Sequence, residues 1–378
     1  MEKKFEVHLL PDLLPVYYGR LFPYEQYYKW LSYGNVPKNY FPHREFSFTL
    51  ADDIYLRYQS FKDKEEMEKE IQKVCPYKID VGAVFSFRPK DHRTVTAFVP
   101  LEKEVVFDID MTDYDEVRYC CSGAAICLLC WKYMAVAVEI LDIGLREDFG
   151  FNHILWVFSG RRGVHGWVCD ARARSLSQQA RSAVAEYLQV VRGGENQTKK
   201  VIFNSSDLHP FIKKASSIIS RHFKSICLED QDSLGSEEKW NKILSLIPDV
   251  ELRENLSKVM PQCCNSLQRW ETIKNEIEGW KNKKKSFTHL TTEIMFQLIY
   301  PRLDINVSKG INHLLKSPFS IHPKTGREEI GEFDKTRTGE AVKITDYKKT
   351  SMKSSIFVFE KFLSGLSKEN AARRLEEN

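Results

Sequence analysis

The run Val105-Val106-Phe107-Asp108-Ile109-Asp110 decides how the rest of the chain is read. Successive side chains of a strand point to opposite faces, so Phe107 and Ile109 share one face while Asp108 and Asp110 share the other. The apolar face suits a core. The acidic face aims two carboxylates at one spot, where like charges repel unless a divalent cation lies between them. Two such ions roughly 4 Å apart can activate an attacking hydroxyl and stabilise a leaving phosphate oxygen together. An Asp-x-Asp also occurs on plain solvent-facing strands, so the pair by itself does not decide between the two. Asp113 and Asp115 follow closely, and their place before a helix suits capping better than metal binding.

Upstream of this run strands dominate from Val81, preceded by a charged helix over Lys64–Val74 that Pro76 stops. Alternation predicts a strand over Asp53–Phe61, and the Leu-, Tyr- and Trp-rich stretch Leu13–Leu31, broken by Pro15 and Pro23, predicts short helices with an aromatic face. Downstream, a helix from about Trp131 to Glu147 leads to two apolar runs, Ile154–Phe158 and Val164–Cys169, that read as a hairpin. Ser177–Gln297 is mainly helical and rich in Glu and Lys, with Lys283-Lys284-Lys285 as a solvated charge run. Strand character returns at Arg302–Val307; a Pro-bounded loop spans Lys316–Arg327, a polar flexible loop runs to Tyr347, and Phe357–Leu366 is a closing amphipathic helix. The pattern is a mixed α/β (α+β) fold: an α/β core over residues 1–190, a mainly helical subdomain over 191–295, and a return to the core over 296–378.

The turn of the expected hairpin, Ser159-Gly160-Arg161-Arg162-Gly163-Val164-His165, sets a hydroxyl, two guanidiniums and an imidazole among glycines that let the backbone approach a ligand. Guanidinium forks match phosphate oxygens, so the loop suits a triphosphate; an ordinary turn with solvated arginines is the plainer alternative. Asp304 sits between Leu303 and Ile305 and, on a strand, would face away from both, as a third carboxylate for the metal cluster. Lys316 and His322 follow in the Pro-bounded loop, where they can reach phosphate, although a lone Lys or His is more often a surface or structural residue.

Cys120, Cys121, Cys127 and Cys130 lie within eleven residues as C-C-x5-C-x2-C. Four thiolates at such spacing close a structural zinc tetrahedron, although consecutive side chains usually diverge. The other five cysteines, Cys75, Cys169, Cys227, Cys263 and Cys264, show no partner spacing. With nine cysteines, an odd number, and no export signal, a disulfide framework is a poor explanation. At 378 residues the chain can bury a full core. Its 56 basic and 52 acidic residues leave a net charge of +4, which implies no polyanion binding unless the positive charge is gathered on one face. No apolar stretch approaches the ~20 residues of a membrane span, and a soluble intracellular protein without membrane attachment is expected.

Three strings in order carry a family resemblance: Phe107-Asp108-Ile109-Asp110-Met111-Thr112-Asp113-Tyr114-Asp115, Ser159 to His165, and Pro301-Arg302-Leu303-Asp304-Ile305-Asn306-Val307-Ser308-Lys309-Gly310. Tyr24–Ser60, with His43-Arg44-Glu45-Phe46-Ser47-Phe48, and the ending Asp346–Ser351 join them. Together they resemble the small catalytic subunit of archaeo-eukaryotic DNA primase, in the eukaryotic order and across nearly the whole chain. The resemblance implies that Asp108, Asp110 and Asp304 bind catalytic Mg2+ or Mn2+, and that Ser159, Arg161, Arg162, His165, His313, Lys316 and His322 line the nucleotide pocket. It sets Glu45 among the catalytic acids and Arg57 and Asp80 near the nucleotide, Asp80 toward the ribose 2′-hydroxyl. It assigns the four clustered cysteines to structural Zn2+. The implied fold is a mixed α/β catalytic core with a smaller helical subdomain. The implied reaction is template-directed synthesis of RNA primers from ribonucleoside triphosphates on single-stranded DNA, in the nucleus, alongside a primase large subunit as heterodimer and the DNA polymerase alpha complex. Two departures stand out: His165-Gly166-Trp167, where relatives often carry a larger second residue, and a short stretch between Arg327 and Asp346. A primase-polymerase adding deoxynucleotides in damage tolerance is the alternative within the superfamily, and a non-catalytic zinc-stabilised scaffold the alternative outside it.

Overall fold

In chain order the protein forms α1 (Leu10–Arg20), α2 (Tyr24–Ser32), β1 (Arg44–Thr49), β2 (Tyr55–Gln59), α3 (Lys64–Val74), β3 (Lys78–Phe85), β4 (Pro100–Glu102) and β5 (Val105–Asp110). Next come α4 (Leu128–Ile143), β6 (Ile154–Phe158), β7 (Gly163–Val168), α5 (Ala171–Arg174) and α6 (Gln178–Leu188). Helices α7 (Pro210–Phe223), α8 (Glu237–Leu244), α9 (Val250–Val259), α10 (Ser266–Lys281) and α11 (Leu290–Ile299) lead to α12 (Ile305–Lys309), β8 (Leu315–Lys316) and α13 (Met352–Glu376). The computed structural model describes residues 7–35, 39–193, 197–281, 287–322 and 347–376. The lysine run at 283–285, the expected flexible loop, and Pro323 and Gly326 lie outside the described residues.

The chain divides into two compact units, one of Met1–Asp108, Phe151–Ser182 and Asn306–Asn378, the other of Ile109–Gly150 and Ala183–Ile305. In the first, a sheet of order β2-β1-β3-β4 gains β8 beside β3, and the β1–β2, β1–β3, β3–β4 and β3–β8 pairs are antiparallel. The hairpin β6–β7 runs from Ile154↔Val168 to Phe158↔Val164, and β5 joins it at β7. Leu14, Tyr17, Tyr27 and Trp30 of the N-terminal helices pack with Phe46 and Phe48 of β1, Trp167 of β7 and Phe359 of α13 in one buried cluster. Each such side chain contributes roughly 1.5–3 kcal/mol when fully removed from water.

Helix α3 shows how local sequence sets the ends of an element. Asp63 caps it by accepting a hydrogen bond from the Glu66 amide at 2.9 Å, and Cys75, at φ 47°, turns the chain out just before Pro76. Between them Met67 and Ile71, one turn apart, are its buried residues.

The second unit is helical. Helix α7 starts at Pro210, a residue whose missing N–H costs nothing at a helix start, and buries Phe211, Ala215, Ile218 and Ile219 on one stripe. Helices α4 and α11 pack against it. The expected helix of Trp131–Glu147 begins earlier, at Leu128, and Gly144–Asp148 continue it as a wider π turn. Among the described residues no helix is long and apolar enough to cross a membrane.

One element departs from expectation. Residues 301–304 take no regular structure and Ile305–Lys309 are helical, so Arg302–Val307 is not a strand. Val307 and Ser308 are both buried, and Ser308 donates from Oγ to the Val106 carbonyl at 2.6 Å, which holds this helical turn against β5. Asp304 therefore stands, exposed, immediately before a helical turn and not on a strand face. The closing helix is also longer than expected, running over Met352–Glu376.

Candidate functional site

On strand β5, Val105, Phe107 and Ile109 are buried on one face; Asp108 and Asp110 are half-buried on the other, which begins with the buried Val106. On the neighbouring β7, His165 is 5% exposed and its Nε2 lies 3.5 Å from Asp108 Oδ1. Asp110 Oδ1 accepts from the amide and hydroxyl of Thr112, at 2.8 and 2.7 Å, which fixes the turn that ends the strand. Asp115 binds Arg118 Nε at 2.6 Å and the Gly123 amide at 2.8 Å, so it braces a loop in place of the helix cap expected of it.

The turn between β6 and β7 closes on itself. The Ser159 amide donates to the Gly163 carbonyl at 2.9 Å and the Gly163 amide to Ser159 Oγ at 3.0 Å, with Gly160 between them at φ 81°, a conformation glycine adopts freely. Arg161 and Arg162 are half-buried in this turn. Lys316 Nζ donates to the Ser159 carbonyl at 2.9 Å and so brings β8 to the same turn.

In the ladder Lys316 stands opposite Asp80 of β3. Asp80 is 3% exposed; Ser47 Oγ donates to it at 3.0 Å, Tyr55 donates to that hydroxyl at 3.0 Å, and Lys78 pairs with its other oxygen at 3.1 Å. Glu45 is fully buried on β1 and binds Arg57 of β2 through Nε at 2.9 Å, a hydrogen bond that holds the guanidinium pKa above its ordinary value. Gly82 permits this packing: a Cβ there would lie 2.8 Å from Leu314 Cδ2 and 3.1 Å from Glu45 Cβ. His313 is half-buried before β8, and His322 is half-buried just after Ile321.

The first unit thus gathers Asp108, His165, Ser159, Lys316 and Asp80 by direct contact or strand pairing, with Glu45 and Arg57 on the same sheet as Asp80. Asp110 and Asp304 belong to the second unit, although Asp110 shares the strand of Asp108.

Beneath β5 lies a buried ionic network that sequence reading missed. Arg44 forks onto Glu104 at 2.8 and 3.0 Å, Tyr33 donates to the same carboxylate at 2.5 Å, and Arg181 binds the carbonyls of Lys103, Glu104 and Arg174. Burial alone would push the Glu104 pKa up, but the Arg44 charge and these hydrogen bonds outweigh it and hold it at about 2. Burial pushes Lys103 down to about 7, and its Nζ donates to the carbonyl of His313, tying the loop before β8 to the base of β5. The available signal was Lys103-Glu104, a charged pair directly ahead of an apolar strand.

In the second unit the four clustered cysteines converge, each offering a sulfur within 4.8 Å of the others. Arg118 shapes their loop by donating to the carbonyls of Gly123 and Ala125 at 2.8 and 2.9 Å, and Gln231 gathers the amides of Tyr119 and Cys120 at 2.7 and 3.2 Å. Gly123, at φ 57°, turns the loop back, which brings the adjacent pair and the distant pair together. Burial raises Cys121 to about 12; on Cys127 the same burial is outweighed by hydrogen bonds from the Cys130 and Leu129 amides and from Cys121, leaving it at about 7. Four clustered sulfurs suit a tetrahedral soft-ligand ion.

A family model described as DNA primase small subunit matches residues 107–329. The chain is 41% identical to the DNA primase small subunit of Drosophila melanogaster, over 98% of this chain and 95% of that protein. It is 45% identical to the DNA primase small subunit of Schizosaccharomyces pombe, over 82% of this chain and 70% of that protein. The archaeal DNA primase small subunit PriS of Methanobrevibacter smithii is 26% identical over 71% of this chain and 76% of its own length.

Proposed function

The chain belongs to the family of DNA primase small subunits, and from that premise we propose that Asp108, Asp110 and Asp304 hold its catalytic cations, Mg2+ or Mn2+. Its activity is that of the family: the small subunit is the catalytic one, a nucleotidyltransferase that synthesises RNA primers. Metal-dependent catalysis goes with the family, and the oxygen donors on β5 suit hard divalent ions. The single observation that carries the site assignment is the meeting of Asp108 with His165 on β7, beside a turn that Lys316 holds through the Ser159 carbonyl.

When bound, the cations neutralise triphosphate charge and lower the pKa of the attacking primer 3′-hydroxyl. The remaining work is positioning and charge complementarity. Arg161 and Arg162 fork onto phosphate oxygens, Lys316 adds a point charge beside them, and the Ser159 and His165 groups supply short donors. His313 and His322 line the same pocket. The buried Asp80 accepts a hydrogen bond from the ribose 2′-hydroxyl, its orientation set by Ser47 and Lys78. Glu45 holds Arg57 beside the nucleotide.

For the cysteine loop we propose a structural Zn2+ on Cys120, Cys121, Cys127 and Cys130, supported by their mutual spacing. The proposed assembly is a nuclear heterodimer with a primase large subunit, handing primers on single-stranded DNA to the DNA polymerase alpha complex. Forming the first bond requires two nucleotides to be held at once, and the large subunit would hold the initiating one. Primer synthesis on a single-stranded template, with ribonucleotides or deoxynucleotides and with or without the large subunit, tests this reading. Ribonucleotide-selective synthesis stimulated by the large subunit is expected; strong deoxynucleotide preference would favour the primase-polymerase alternative.

A further inference from the structure

A second group of ligand-type side chains lies in the first unit, away from β5. His153, Asp170 and Glu369 each offer one donor atom within 4.8 Å of the other two. They come from separate elements: His153 directly precedes β6, Asp170 directly precedes α5, and Glu369 lies in α13.

Each side chain is set for the group and not for its own element. An aspartate before a helix normally accepts from the first-turn amides. Asp170 makes no such cap; its two oxygens take the amides of Asn152 and His153 at 2.8 and 2.9 Å, which leaves each oxygen with lone-pair capacity. It is 4% exposed. The His153 ring rests against α13 at Gly365, where a Cβ would lie 3.6 Å from Cε1, and Glu369 is one turn further along that helix. Glu369 Oε2 lies 2.8 Å from His153 Nε2, yet it is sealed from water and accepts no hydrogen bond. A water-excluded carboxylate oxygen that meets an imidazole nitrogen without hydrogen-bond geometry, with a second carboxylate alongside, is satisfied by a cation held on all three donors.

We infer that His153, Asp170 and Glu369 form a binding site for a divalent transition ion, best matched by zinc, which clasps α13 to the base of the β6–β7 hairpin. One imidazole nitrogen and two carboxylate oxygens are a borderline-to-hard donor set, which zinc accepts in four-coordinate sites with water as the fourth ligand. The backbone amides on Asp170 are the outer shell that fixes a ligand's orientation. Because β6 runs directly into the Ser159–Gly163 turn, the clasp anchors the strand that presents that turn.

Cobalt distinguishes this site from the cysteine loop, since thiolate ligation gives intense sulfur-to-metal charge-transfer bands and N/O ligation only weak d–d bands. The full-length chain, stripped of metal and then held in excess Mg2+ so that the β5 carboxylates are occupied, is titrated with Co2+ or Zn2+ and the Co2+ or Zn2+ it binds is counted. The expected result is one equivalent with thiolate bands and a second without them. In Glu369→Gln and His153→Ala the thiolate bands persist while the second equivalent binds roughly tenfold or more weakly. Glu369→Gln keeps the side-chain volume and decides the matter if His153→Ala fails to fold. A wild-type chain that takes up no equivalent beyond the thiolate one, or a Glu369→Gln chain that binds both as tightly as wild type, overturns the site. Neither readout depends on primer synthesis, so the outcome stands apart from the assignment of Asp108, Asp110 and Asp304.

Discussion

Asp108 and Glu104 lie four residues apart and do opposite kinds of work. Asp108 is half-buried on the open face of β5, so removing its carboxylate leaves no hole in the core. Asp108→Ala is expected to abolish primer synthesis while shifting unfolding free energy by about 0.5 kcal/mol or less, read by urea denaturation. Wild-type turnover, or an unfolded variant, would contradict the assignment. Arg162→Ala should instead raise KM for the nucleotide with a smaller change in kcat, as expected of a group that holds triphosphate before and during reaction. Glu104 is structural. Its folded pKa of about 2 lies below the unfolded carboxyl value, so its stabilisation is complete above about pH 4.5 and is lost as pH falls toward 2. The sum is roughly 3 kcal/mol, and the acid limb of the stability curve should flatten in Glu104→Gln. At this scale the sequence was legible where chemistry leaves a local mark, as in Asp-x-Asp, and opaque for Glu104, whose partners Arg44 and Tyr33 lie 60 and 71 positions away.

Elements were readable in proportion to the length of their periodic signal. The hairpin and α3 sit where the two apolar runs and the charged helix stopped by Pro76 placed them, because five or more residues carry each signal and a Gly turn or a proline marks an end. Arg302–Val307 misled because a short run of alternating apolar residues fits a strand and a helical turn equally well; the choice is made by Ser308 reaching Val106, a contact no local pattern encodes. The hairpin also explains Gly166. It pairs directly with Trp156 on β6, and a Cβ at 166 would lie 2.5 Å from the Trp156 ring. Gly166→Leu should therefore cost about 1–3 kcal/mol through overpacking, and Trp156→Ala in the same chain should recover part of it, a coupling that a double-mutant cycle reads as non-additivity. Additive losses would mean that the two residues do not share the space.

Neither unit of the molecule is one stretch of chain, and this is what sequence reading handles least well. Composition turns helical and Glu/Lys-rich after Ser177, which reads naturally as a self-contained insert at 191–295. The unit that contains those residues also draws on Ile109–Gly150, including α4. The Phe211 ring on α7 shows why: a Cβ at Gly144 would lie 2.8 Å from it, and Leu188 Cδ2 fills the space beside that position at 2.9 Å. Both neighbours fall outside 191–295, as do Tyr133, Ile140 and Leu141, buried on α4. Excising 191–295 would bare the stripe of Phe211, Ala215, Ile218 and Ile219 to water, and short helices without a tertiary partner are marginal. The isolated fragment 191–295 should accordingly melt without a cooperative transition and bind a hydrophobic dye, whereas the full chain shows a cooperative melt with native near-ultraviolet circular dichroism. A fragment with a sharp thermal transition and dispersed amide resonances would show that α4 and Leu188 are dispensable, and that the helical unit is specified by its own contiguous sequence.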